Sequence, residues 1–138
     1  MIKSILVPVD GSDSSEKSID YAISLAKSYR AKINFLYVSN VNQLAINASL
    51  TNAIMGAMRA AGSAILERAG TMVPTGVEYE KIMETGSPAA VILEYAEILD
   101  ADLIVMGSRG LGVVKGVLLG SVSQYIIERA KIPVLVVK

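Results

Sequence analysis

The 138-residue chain is long enough for one domain and short for two, and 52% of it is apolar. Thirteen Lys and Arg balance thirteen Asp and Glu, so the positive excess expected of a nucleic-acid-binding surface is missing. Cysteine and histidine are both absent, which excludes disulfides, thiol catalysis, thiolate or imidazole metal ligands and any His-containing triad.

Residues 5–9 form a short β-branched run closed by Asp10-Gly11-Ser12, the pattern of a buried strand entering a turn. Asp13 and Glu16 have capping-box spacing, and Ile19, Ala22, Ile23 and Ala26 recur at helical spacing behind them. Residues 33–38 read as the second strand. An Asn-rich stretch over 40–52 leads into a helix running to about Ala69, with Gly70 placed to end it. Residues 77–83 read as the third strand, with Val77, Tyr79 and Lys81 alternating against Glu78 and Glu80. Ser87 as N-cap and Pro88 at the first helical position open the next helix, whose inner face is Val91, Ile92, Tyr95, Ala96 and Leu99. Residues 103–106 and 133–137 are the fourth and fifth strands, separated by a glycine-rich loop and a helix from Ser121 to about Ala130.

Strands apolar on both faces and alternating with helices predict an α/β fold with a parallel sheet covered on both sides. With right-handed crossovers, the expected architecture is one doubly wound domain over 1–138, with five strands in the order 3-2-1-4-5. Its switch point lies between strands 1 and 4, where ligands bind beyond the strands' carboxyl ends. No apolar run approaches the ~18 residues that span a bilayer, and the N-terminal run is too short for a signal sequence. The expectation is a soluble, cytoplasmic protein.

Five of the eleven glycines fall within residues 107–120: Gly107, Gly110, Gly112, Gly116 and Gly120. This loop leaves a central strand, carries Arg109 and Lys115, and ends in Gly120-Ser121-Val122-Ser123 at a helix start. Free backbone N–H groups and the positive helix end suit a phosphate there; a mobile loop without a ligand is the competing reading. No Gly-Lys pair exists for a P-loop, and Lys115 stands where the dinucleotide fingerprint needs its third glycine.

The spacing Gly107-x-x-Gly110, nine residues, then Gly120-Ser121 resembles the ATP-binding signature of the universal stress protein family. The likeness extends along the chain through Ile5-Leu6-Val7-Pro8-Val9-Asp10-Gly11-Ser12, Gly86-Ser87-Pro88-Ala89, residues 101–110 and Pro133-Val134-Leu135-Val136-Val137. The resemblance implies an ATP-binding regulatory or stress-response protein; with ATP bound, Mg²⁺ is expected to be held mainly through the phosphates. It puts Asp10 on the ribose beside Pro8 and Val9, and the Val38 backbone near adenine. Gly107 and Gly110, flanked by Met106 and Arg109, would pass close to the sugar and phosphates. Gly120, Ser121, Val122 and Ser123 would donate to phosphate oxygens.

The residues leave other readings open. Asp10 could simply cap its turn, Ser121 with Gln124 has capping-box spacing, Arg109 could be a solvated charge, and Lys115 reads as one. The six tyrosines read as packing residues. Enzymes of similar architecture fit poorly: Pro8 stands where a haloacid-dehalogenase phosphatase needs its nucleophilic Asp, a nucleotidyltransferase of the HxGH type needs histidine, and Asp10-Gly11-Ser12-Asp13-Ser14 lacks the glycine pair of an ATP pyrophosphatase. No general base stands out, so hydrolysis is expected to be slow at most. A slow ATP-hydrolysing enzyme and a ligand-free dimeric scaffold are the alternatives. A homodimer through the C-terminal strand is expected from its apolar edge position and from the resemblance. Residues 39–58 hold no charge, as expected of a helix buried behind a polar lead-in or of an interaction surface.

Overall fold

The computed structural model describes residues 1–40, 48–110 and 119–138; Gly112, Lys115, Gly116 and residues 41–47 of the uncharged segment lie outside them. In the first strand, β1 (Ser4–Pro8), Ile5 and Val7 join one core cluster and Leu6 the other, all fully buried. A strand buried on both sides needs cover on both. On one face Ile5, Val7 and Val9 meet Ile19 and Ala22 of α1 (Asp13–Tyr29) and Leu66 and Ala69 of α2 (Ala48–Met72). On the other, Leu6 meets Val91 and Ile92 of α3 (Pro88–Ile98) and Ile126 of α4 (Ser121–Arg129).

The remaining strands are β2 (Lys32–Ser39), β3 (Tyr79–Thr85), β4 (Leu103–Gly107) and β5 (Val134–Val137). All pair in parallel in the order β3-β2-β1-β4-β5, the five-stranded topology expected from the alternation of elements. β1 pairs with β2 as far as Pro8–Leu36, but with β4 only at Ile5–Leu103 and Leu6–Ile104. The cause is in the sequence. The Val9 N–H donates to the Leu36 carbonyl of β2 at 2.9 Å, so alternation turns the Pro8 nitrogen toward β4, and proline has no proton to offer. The two central strands part there, and a crevice opens.

Several local expectations shift. The N-cap of α1 is Ser12, whose hydroxyl accepts from the Ser15 N–H at 3.3 Å, while Glu16 pairs instead with Arg68 of α2. Gly70 does not end α2, which continues to Met72. Its missing side chain makes room for Tyr79, whose ring atoms would lie 3.1 Å from a Cβ placed there. The third strand begins at Tyr79 instead of Val77, because the Val77 N–H closes a turn onto Pro74. As an edge strand, β3 carries exposed Tyr79, Glu80 and Lys81.

Candidate nucleotide site

Where β1 and β4 separate, their carboxyl ends border a cavity of about 270 Å³. Each of Pro8, Val9, Asp10, Val38, Met106, Gly107, Arg109, Gly110, Gly120, Ser121, Val122 and Ser123 lines it. The structure therefore brings together all the positions that the glycine spacing and the family resemblance singled out. It adds Ser12, Ser15, Leu36, Pro88 and Ile92. Leu36 was reachable from strand alternation, since it shares a face with Val38. Ser12 and Ser15 were not, because their place in the wall follows from how α1 docks against β4.

The apolar part of the lining is Leu36, Val38, Pro88, Ile92 and Met106; among the described residues its charged side chains are Asp10 and Arg109. Asp10 Oδ1 accepts from the Ser12 N–H at 2.9 Å, so the carboxylate does organise its own turn. Its second oxygen faces Gly110, where a Cβ would stand only 2.7 Å away. Between them Gly11 has φ +84°, a conformation that glycine takes without strain. Burial first, and then the Asp10 charge, raise the nearby Tyr37 phenol above its usual value.

The start of α4 adds polar backbone groups to the lining. Its N-cap is Gly120, with φ −72° and ψ 162°, and no side chain caps the helix. The expected Ser121–Gln124 capping box is therefore absent: Ser121 is already the first helical residue, and Gln124 donates only its backbone N–H, to the Gly120 carbonyl at 3.0 Å. The amides of Ser121, Val122 and Ser123 are left without intrahelical acceptors. Ser123 Oγ donates to the Gly107 carbonyl at 2.8 Å, so its one proton holds the loop and Ser121 carries the exposed hydroxyl.

The loop glycines differ in purpose. A Cβ on Gly107 would meet Ser14 Oγ at 2.4 Å and the Ser15 nitrogen at 2.7 Å; this glycine lets α1 dock on β4. Among the described residues, a Cβ on Gly120 would meet nothing closer than Arg109 Cα at 3.4 Å, an ordinary contact, so packing against those residues does not explain its lack of a side chain. Ser108 anchors the loop through its backbone, donating to the Val137 carbonyl at 2.7 Å and accepting from the Gly120 N–H at 2.7 Å. Its buried hydroxyl has no hydrogen-bond partner among the described residues. Among those residues, too, no group of three or more acidic side chains is placed to hold a metal ion, and no helix is long and apolar enough to cross a membrane.

A cavity at the switch point whose lining combines apolar side chains, a carboxylate and an uncapped helix start has the chemistry to take an apolar ring, hydroxyls and an anion. The comparisons with known proteins agree with this architecture. The model of the Universal stress protein family matches residues 1–138. Universal stress protein YxiE of Bacillus subtilis is 36% identical, with 100% of each chain covered. Universal stress protein MJ0531 of Methanocaldococcus jannaschii is 37% identical, covering 100% of this chain and 83% of that protein. Among solved structures, hypothetical protein MJ0577 superposes with a TM-score of 0.92 at 27% identity, covering 100% of this chain and 96% of that one. A universal stress protein in complex with cAMP matches with a TM-score of 0.67 at 31% identity, covering 99% and 96%. The chain belongs to the universal stress protein family.

Proposed function

We propose that residues 1–138 form one ATP-binding domain of a cytoplasmic regulatory protein, with the nucleotide seated in the cavity between β1 and β4. The observation that carries this reading is the open start of α4: a glycine cap that no described residue crowds, and three amides for which no described residue is an acceptor. The apolar part of the lining takes the adenine beside Val38, and Asp10 Oδ2 takes the ribose hydroxyls. Arg109 and the amides of 120–123 take the phosphates. A relative 31% identical to this chain is complexed with cAMP, which supports an adenine nucleotide as the ligand class. Asp10 is the single carboxylate in the lining, so Mg²⁺ enters held by phosphate oxygens and water.

Titrating nucleotide-stripped protein with Mg·ATP tests the reading. A dissociation constant in the micromolar range, about −8 kcal/mol, is expected; absence of heat contradicts it. With no second group to activate water, turnover stays below the ~1 s⁻¹ at the low end of enzyme rates.

A homodimer through β5 completes the proposal. Ile104 donates to the Pro133 carbonyl and Ser108 to that of Val137, so alternation turns the polar backbone groups of Val134 and Val136 outward, with half-buried side chains beside them. No described residue pairs with this edge, and an apolar edge of this kind pairs readily with a second copy. Val136→Pro removes an outward donor without touching the β4 ladder. Light scattering is expected to find a wild-type dimer and a monomeric variant; a wild-type monomer at tens of micromolar contradicts the assignment.

A further inference from the structure

Ser14 lies in the first turn of α1, is 8% exposed and does not line the cavity. Its hydroxyl nevertheless holds one residue of the glycine loop at both backbone atoms. Oγ donates to the Arg109 carbonyl at 2.7 Å, and the Arg109 N–H donates back to Oγ at 3.4 Å. One proton and two lone pairs are enough for both contacts. Ser12 Oγ adds a second donor to the same carbonyl at 3.2 Å.

The Arg109–Gly110 peptide is trans, so a carbonyl held toward α1 sends the Gly110 N–H the opposite way. That nitrogen lies 3.6 Å from where a Gly120 Cβ would stand, and no described residue accepts from it. We propose that Ser14 is a positioning residue for the phosphates: acting through Arg109, it orients this peptide so that the Gly110 amide joins those of Ser121, Val122 and Ser123 in one anion-binding nest. Without the hydroxyl only the longer Ser12 contact holds the peptide, which then turns more readily to present its carbonyl oxygen, and that oxygen repels a phosphate. The ligand in this inference rests on the nucleotide reading above; the orientation of the peptide does not.

The ratio of ATP to adenosine affinity reads this role, because adenosine has the base and ribose without phosphate. Ser14→Ala is expected to weaken ATP about tenfold and leave adenosine unchanged. Ser18→Ala is the control: that serine is fully buried in the same helix and donates only to the Ser15 carbonyl, at 2.6 Å, so its loss lowers stability and spares the ratio. Ser14→Cys keeps the side chain's shape with a weak donor and is read the same way, which guards against a folding defect in the alanine variant. An unchanged ratio, or an equal fall for both ligands, overturns the proposal. If the wild-type protein binds neither ligand, the nucleotide reading fails by itself and amide exchange at Arg109 in the free protein decides the positioning. Faster exchange in Ser14→Ala than in wild type and Ser18→Ala supports it, and equal exchange overturns it.

Discussion

Helices α1 and α4 both begin at the wall of one cavity, but α1 is closed by its own side chains whereas α4 is left open. At α1, Ser12 Oγ takes the Ser15 N–H, Asp13 and Glu16 add negative charge to the first turn, and Ser12 and Ser14 together hold the Arg109 carbonyl. At α4 the cap is glycine, no side chain makes a capping hydrogen bond among the described residues, and the first turn carries no acid. On the nucleotide reading proposed above, one structural device serves two ends. Capping uses the same backbone donors that an anion would use, so a helix start can be finished for stability or kept for a ligand. Here the finished terminus anchors the loop that leads to the unfinished one.

The sharpest way to break this contrast is to finish α4. Gly120 has an ordinary extended backbone with room for a Cβ, so Gly120→Asp enters without strain. Asp is the better cap by a few tenths of a kcal/mol, and stability is expected to rise by about that much. Its carboxylate meets the phosphates, and ATP affinity is expected to fall by about a hundredfold or more. A titration paired with urea unfolding reads both effects; a variant that keeps its affinity contradicts the role given to the open terminus.

The opposite change opens α1. Ser12→Ala removes the cap and one of the two donors to Arg109, and is expected to cost about 1 kcal/mol of stability. Urea unfolding checks this, and no loss would mean that Ser12 caps nothing of consequence.

The smallest effect concerns the far end of the sheet, where the Lys3 and Ser4 amides donate to Asp102 Oδ2 at 2.8 and 3.0 Å. These bonds hold the Asp102 carboxyl below the usual range. Because the folded value lies below the unfolded one near 3.9, the contribution is present in full above about pH 4 and is lost as pH falls through the folded value. Asp102→Asn is expected to destabilise by roughly 1 kcal/mol or less at neutral pH and to flatten part of the acid limb of stability against pH. An acid limb unchanged in that variant would assign it to other carboxylates, Glu16 and Glu84 among them, whose values are also lowered.

The sequence was most legible where signals are local and periodic. Apolar runs and helical stripes were enough to reach the alternation of strands and helices, right-handed crossovers then left few topologies, of which the order 3-2-1-4-5 is the one expected, and glycine spacing pointed to the β4–α4 loop. What stayed hidden depends on contacts between distant segments. Asp13 has capping-box spacing with Glu16, but Ser12 caps and Glu16 is drawn off by Arg68. Gly107 resembles a ligand glycine in sequence, yet its Cβ space is taken by Ser14 and Ser15, more than ninety residues earlier in the chain. The same non-local docking makes Ser14 important to Arg109, and nothing in the spacing of α1 announces it.

The contrast between the two helix starts is most directly tested by following backbone amide signals during an ATP titration. The amides of Gly110, Ser121, Val122 and Ser123 are expected to shift strongly and together, while that of Ser15, already bonded to Ser12 Oγ, stays near its free position. Shifts concentrated at Ser15 and Glu16, or ATP binding that leaves 121–123 unmoved, would contradict the account.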